Sequence, residues 1–480
     1  MRKLSILFVS FIFILGCNKK PSDQATLSGK IEAESLDSIE ISYYENDYLE
    51  NPIIKTVGLN EKNTFSVDLQ PRELKNYELR ILPKQKTEFI MKPGWNTSVY
   101  VEMDSDNSID TIYFEGKGEK ENQVYHDFNK LSFKAYDYIK EKPQRFIEVL
   151  DSLEDEMNTL VAQVKLDEDF KKMIENDIYY NKLMRWTSYK RYAQRSGKNL
   201  DTLFVDQFEE ELNSRIELNN PALLSSSFYR SFLEDTLRDA AKKNMDIAKL
   251  REEYQSQKEF YNAYIKAQAR EMFNAADSII QEPAIKAYAY YHTMLRNLNM
   301  NALEVVKDIY ANRFKQVVKD EYKHKVVEDR IAKLEKLTPG NPAPEFAYPD
   351  KDGEMVRLEE FEGKHVYLDI WATWCGPCVR EIPKLKELHE KYGEDIAFVS
   401  VSVDPDKEKW SEFLKEKNLR GYQLYSGKNF ESEIINDYMV QGIPRFVMID
   451  QEGKIINVDA PRPSDKETKE IMEKWIKTEG

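Results

Sequence analysis

The stretch Ile370–Pro383, IWATWCGPCVREIP, holds two of the chain's three cysteines, separated by two residues. Two thiols at that spacing could close a small structural disulfide ring, supply half of a zinc site, or pass electrons. The ring would constrain too little chain to stabilise much. The zinc site needs a second pair, which the chain lacks, and its five histidines are scattered without ligand spacing, so no metal site is expected. Redox exchange is the chemistry that remains. A thiolate, not a thiol, attacks a disulfide. "HVYLDIW" just upstream is an apolar run of strand length, and "CGPCVREIPKLKELHEKYG" reads as a helix closed by Gly393. Cys375 then sits at a helix start, where unpaired N–H groups and the positive end of the dipole favour an anion. Cys378 follows one turn on, within reach. The expected sequence of events is attack by Cys375 on a substrate disulfide, a mixed disulfide, and resolution by Cys378. No cofactor is expected beyond the Cys375–Cys378 disulfide itself.

The third cysteine bears on where this happens. "MRKLSILFVSFIFILGC" has a basic start at Arg2 and Lys3, an apolar run from Leu4 to Leu15, and then Gly16 and Cys17. The run is shorter than the roughly 20 residues a spanning helix needs, so it reads as a processed export signal. Ile14, Leu15, Gly16 and Cys17 resemble the lipobox of bacterial lipoproteins. That resemblance implies lipidation of Cys17 and a lipid-anchored protein of the cell envelope, in the outer membrane and facing the periplasm. It also accounts for an odd thiol in an oxidising compartment.

Punctuation residues divide the remainder. Asn18 to Gly118 contains five Gly and five Pro, Glu119 to Thr338 one Gly and three Pro, and Pro339 to the end ten of each. The predicted organisation is multidomain: a signal peptide over 1–16, an N-terminal β-sandwich-like domain over 17–118, a central all-α domain over 119–336 and a C-terminal α/β domain over 337–480. Alternation marks strands at Phe65, Val67 and Leu69 and again at Val99, Val101 and Met103. In the middle region Phe146, Leu150, Leu153, Met157, Leu160 and Val164 form one stripe of a helix starting after Pro143. The tyrosines there (Tyr179, Tyr180, Tyr189, Tyr192, Tyr288, Tyr290, Tyr291) are read as packing. "LTPGNPAPEF", Leu337–Phe346, reads as a linker. After it strands and helices alternate: "IAFVSVSV" is a second buried strand and "RFVMIDQEGKIINV" a hairpin turning at Glu452 and Gly453. The net charge of −15 argues against nucleic acid as a partner.

From about Pro339 to Gly480 these motifs resemble thioredoxin, and more closely the TlpA/ResA-type thiol-disulfide oxidoreductases, with Asp404 to Asn429 as the insert of that branch. The resemblance implies a thioredoxin-like fold and several roles. Asp369, six residues before Cys375, matches a buried acid that accepts a proton during exchange. Glu381 matches an acid of the active-site cavity, and Pro383 a kink in the active-site helix. Trp374, Gly376, Pro377, Ile443, Pro444 and Arg445 fall where the family meets its substrate chain, with "GIP" at Gly442–Pro444 matching the cis-proline loop. Two positions depart from the pattern. Ser400 stands near the place of a buried lysine, and Arg445 replaces a threonine, where its charge could act on Cys375 or pair with a surface carboxylate.

Potentials in this fold span about 150 mV, about 7 kcal/mol, so local charge sets the direction of electron flow. Gly376-Pro377 between the cysteines carries no histidine to stabilise a thiolate, which favours a disulfide reductase. The alternatives are an isomerase or oxidant, or a partner-binding lipoprotein whose pair is a switch. Expected partners are protein disulfide or thiol substrates, a membrane thiol-disulfide electron donor, and the membrane through the lipid anchor.

Overall fold

The structure, a computed structural model, describes residues 24–33, 36–44, 52–82, 85–106, 108–200, 202–254 and 256–477. The signal segment and Cys17 lie outside the described residues. The chain forms two compact units, Met1–Thr236 and Leu237–Gly480, and the divide falls inside the helix Ser227–Asn244.

The first unit opens with eight strands: β1 (Ala25–Glu32), β2 (Ser38–Tyr43), β3 (Ile53–Gly58), β4 (Thr64–Leu69), β5 (Lys75–Leu82), β6 (Gln85–Met91), β7 (Asn96–Met103) and β8 (Ile109–Gly116). They pair into two four-stranded sheets of order β4-β1-β7-β8 and β3-β2-β5-β6. All neighbours are antiparallel except β1 and β7. Along β4 the side chains of Phe65, Val67 and Leu69 are buried while Ser66 and Asp68 are exposed, the period-2 pattern of a sheet with one wet face. Both sheets contribute to one hydrophobic cluster, and each large apolar side chain in it is worth about 1.5–3 kcal/mol. The helix Pro143–Ala162 begins at its proline and buries Phe146, Leu150 and Met157; Leu153, Leu160 and Val164 are partly buried, and Val164 lies past the helix end. Tyr179, Tyr180 and Tyr189 are buried and donate to the carbonyls of Leu212, Glu217 and Glu141, so they pack helices together.

The second unit runs through further helices, the last being Glu321–Lys336, and then becomes an α/β layer. A short hairpin, β9 (Ala347–Pro349) with β10 (Met355–Arg357), precedes a five-stranded sheet. Its strands are β11 (His365–Trp371), β12 (Ile396–Ser402), β13 (Tyr422–Tyr425), β14 (Arg445–Ile449) and β15 (Ile455–Asn457), in the order β13-β12-β11-β14-β15. β12 and β13 run parallel to β11, β14 and β15 antiparallel to it or to each other. Val366, Leu368 and Ile370 enter one hydrophobic cluster and Tyr367 another, which is why this strand is apolar at nearly every position.

One expectation is corrected here. Leu337–Phe346 is not a loose linker: Gly340 and Ala343 donate to the Ile455 and Gly453 carbonyls, Ile455 donates back to Asn341, and Leu337, Ala343 and Phe346 are buried. Its prolines stop helix formation without freeing the segment, because edge hydrogen bonds are available beside β15. The segment Asp404–Asn429, expected as the insert, supplies the helix Lys407–Lys417 and the edge strand β13.

Candidate active site

Cys375 is the N-cap of the 17-residue helix Gly376–Tyr392, with Gly376 and Pro377 exposed in its first turn. The proline fits because its missing N–H lies among donors that have no intrahelical partner anyway. Cys375 and Cys378 form a disulfide with Cα atoms 5.2 Å apart, and the Cys375 Sγ accepts the Cys378 N–H at 3.1 Å. Both cysteines are buried. Pro383 lies inside the helix. Among the described residues no cluster of His, Cys, Asp or Glu could hold a metal, and no helix is long and apolar enough to cross a membrane.

The approach to the pair is made from separated parts of the chain. Trp374 is 51% exposed, and its ring lies 6.2 Å from that of Phe430, itself exposed, beyond β13. The Ile443–Pro444 peptide is cis, both residues are half-buried, and Ile443 packs against the cluster that contains the cysteines. Arg445 opens β14 opposite Ile370, and its Nη1 lies 2.5 Å from the Asp459 carboxylate. Its charge is therefore engaged with a half-exposed partner, the second of the two arrangements open from sequence.

Asp369 sits in β11 with Ser400 and Phe446 as its cross-strand neighbours, and is buried. Ser400 Oγ reaches its Oδ2 at 3.5 Å, while Oδ1 has no partner. Burial pushes this carboxyl from 3.8 to about 8; the Ser400 hydroxyl opposes the rise and the nearby Glu381 adds to it. Glu381 is also buried, and both its oxygens are held by Ser464, from the backbone N–H and from the hydroxyl, at 3.0 Å each. It ties the active-site helix to the loop before the helix Lys466–Lys477.

One site residue escaped the sequence reading. Asp404, just past β12, is buried and accepts from the Thr373 N–H at 3.0 Å, the Thr373 hydroxyl at 2.7 Å and the Ser402 hydroxyl at 2.6 Å. A carboxylate so fully bonded fixes the turn Ala372–Trp374 that delivers Cys375 to its helix. The available signal was an aspartate two residues past the end of a strand of apolar and small residues, a position where burial demands partners.

The Redoxin family model matches residues 338–476. Thiol-disulfide oxidoreductase ResA of Bacillus cereus (strain ATCC 10987 / NRS 248) is 33% identical over 148 residues, which are 31% of this chain and 82% of that protein. ResA of Bacillus thuringiensis subsp. konkukian (strain 97-27) is 34% identical over the same length and shares. ResA of Bacillus subtilis (strain 168) is 28% identical over 129 residues, 27% of this chain and 70% of that one. Among solved structures, the thioredoxin domain of a thiol-disulfide oxidoreductase from Bacteroides vulgatus is 27% identical, covering 29% of this chain and 99% of that chain with a TM-score of 0.27.

Proposed function

Because the chain belongs to the ResA-type thiol-disulfide oxidoreductases, with its residues 338–476 as the matching Redoxin domain, we propose that it is a disulfide reductase of the cell envelope that acts on protein substrates. The observation that carries this reading is Cys375 at a helix N-cap with its sulfur already accepting the Cys378 N–H. In the reduced state the same N–H and the helix dipole favour a thiolate on Cys375. That thiolate attacks a substrate disulfide, forms a mixed disulfide and releases one substrate thiolate. Cys378 then gives its proton to the Asp369 carboxylate as its sulfur attacks Cys375, and the second substrate thiolate leaves. A donor dithiol in the membrane restores the pair. Gly376-Pro377, without a charged or imidazole side chain between the thiols, supports the reductase direction over the oxidant or isomerase.

Trp374, Ile443 and Pro444 form the substrate-binding edge in this reading. Lipidation at Cys17 places the enzyme on the outer membrane facing the periplasm. The β-rich region, with its two four-stranded sheets on one hydrophobic core, is a sandwich-like domain in this reading. Cys378→Ser strands substrate on Cys375 in cells, so mixed disulfides with envelope proteins should accumulate in that variant and vanish in the double Cys375/Cys378 variant. Trapping by Cys375→Ser instead would reverse the roles of the two thiols.

A further inference from the structure

Seven buried side-chain polar atoms among the described residues have no hydrogen-bond partner, and four of them belong to residues that line a single cavity: Asp369 Oδ1, Trp371 Nε1, His389 Nδ1 and Gln423 Oε1. Such groups are costly alone, and one occupant of the space that these four residues border could satisfy several of them together. The cavity measures about 20 Å³. A single water needs roughly 10–15 Å³ and two to four polar partners. A water here can accept from the indole N–H and donate to a carboxylate, an amide oxygen or an imidazole nitrogen.

We propose that this cavity is a water site through which Asp369 exchanges its proton with solvent by way of His389. The proposal rests on the reading of Asp369 as the proton acceptor for Cys378. The route has a buried end and an exposed end. Asp369 lies in the central strand, and the groups acting on it are Ser400 and Glu381, neither of them a cation. His389 lies on the active-site helix with Nδ1 buried and the ring partly exposed. Its ring edge is bordered by two glycines. A Cβ at Gly393 would meet Nε2 at 3.1 Å, and one at Gly421 would meet Cδ2 at 3.2 Å, so side chains there would cover the edge.

The charged groups around the route are engaged elsewhere. Arg420 pairs with Glu390 at 3.4 Å, Lys386 donates to the Lys417 carbonyl, and Glu381 is bonded to Ser464. Burial and Arg420 lower the His389 pKa, with Glu390 opposing, which keeps the ring neutral, so that it relays a proton by accepting at one nitrogen as it releases from the other. In the outward step the Asp369 carboxyl gives its proton to the water, the water gives one of its own to Nδ1, and the ring releases the Nε2 proton. Asp369 is then ionised and accepts the Cys378 proton as the pair oxidises. On re-reduction it returns that proton to Cys378 and takes one back along the reverse path, which restores the tautomer of the ring. One proton leaves and one enters per turnover.

The test uses the full chain and single-turnover reduction of a model disulfide over about pH 6 to 9. His389→Gln, which keeps hydrogen bonding but cannot carry a proton, should be at least about tenfold slower than the parent below about pH 8 and approach it above, where Asp369 is already ionised. His389→Ala should regain rate in proportion to added imidazole, and both variants should melt with the parent. Equal rates at every pH, or a uniform loss without imidazole rescue, overturn the relay. Asp369→Asn separates the two levels. If it too matches the parent, the acceptor role itself fails; if it is slow while His389→Gln is not, only the relay fails.

Discussion

Replacing Asp369 by Asn should stabilise the redox domain, and the gain should depend on pH in a defined way. The carboxyl titrates near 3.8 in an unfolded chain and at about 8 in the folded one, because burial disfavours its charged form. Between those values the native state holds a proton that the unfolded state has lost. The contribution of this group to stability therefore falls as pH rises from about 4 to about 8, and is level outside that window. The slope is about 1.4 kcal/mol per pH unit, a ceiling of about 6 kcal/mol once the carboxylate is charged, which relaxation and hydration reduce. The neutral amide has no such slope and can still accept from Ser400. Hydrogen exchange of the β11 and β12 amides in the full chain reports the opening free energy of this sheet locally. Asp369→Asn should match the parent near pH 4 and exceed it by at least about 2 kcal/mol at pH 8. A constant difference across that range would refute the idea that a buried, protonated carboxyl sits in β11. The same variant should exchange disulfides more slowly at neutral pH, so stability and activity move in opposite directions.

Asp404→Ala removes the acceptor for Thr373 and Ser402 and should cost about 3 kcal/mol, with slower exchange, since buried donors are left unpaired; a loss under about 1 kcal/mol by the same exchange measurement would mean that the turn holds itself. Arg445→Thr should leave the thiolate absorbance titration of the reduced pair superimposed on the parent's, because the guanidinium is paired with Asp459. A salt-sensitive displacement of that curve would show the charge acting on the thiols instead. Cys17→Ala should release the protein from membranes without changing its redox activity in vitro; a variant that resists carbonate extraction would place the anchor elsewhere.

Much of the active site was legible because its code is short-range. Cys375 and Cys378 lie on one helical turn, Pro377 suits the first turn, and Gly393 closes the helix. The apolar run of β11 announces a central strand through its length alone. The strands at Phe65–Leu69 and Val99–Val101 follow from alternation, which local sequence carries in full. Other features join residues far apart in the chain, and no local pattern encodes them. Thr373 finds Asp404, Glu381 finds Ser464 and Arg445 finds Asp459 only after strands and helices have packed. Leu337–Phe346 carries the composition of a loop, yet lies ordered against β15 because the sheet edge offers it hydrogen bonds. His389 and Gln423 look like surface residues of a helix and a strand. Their meeting with Asp369 around one cavity is set by how the active-site helix lies across β11, β12 and β13. Sequence determined which two cysteines pair and on what element. Tertiary packing decided which buried carboxyls are satisfied and which keeps an oxygen without a partner, since desolvation exists only once the chain has closed around them.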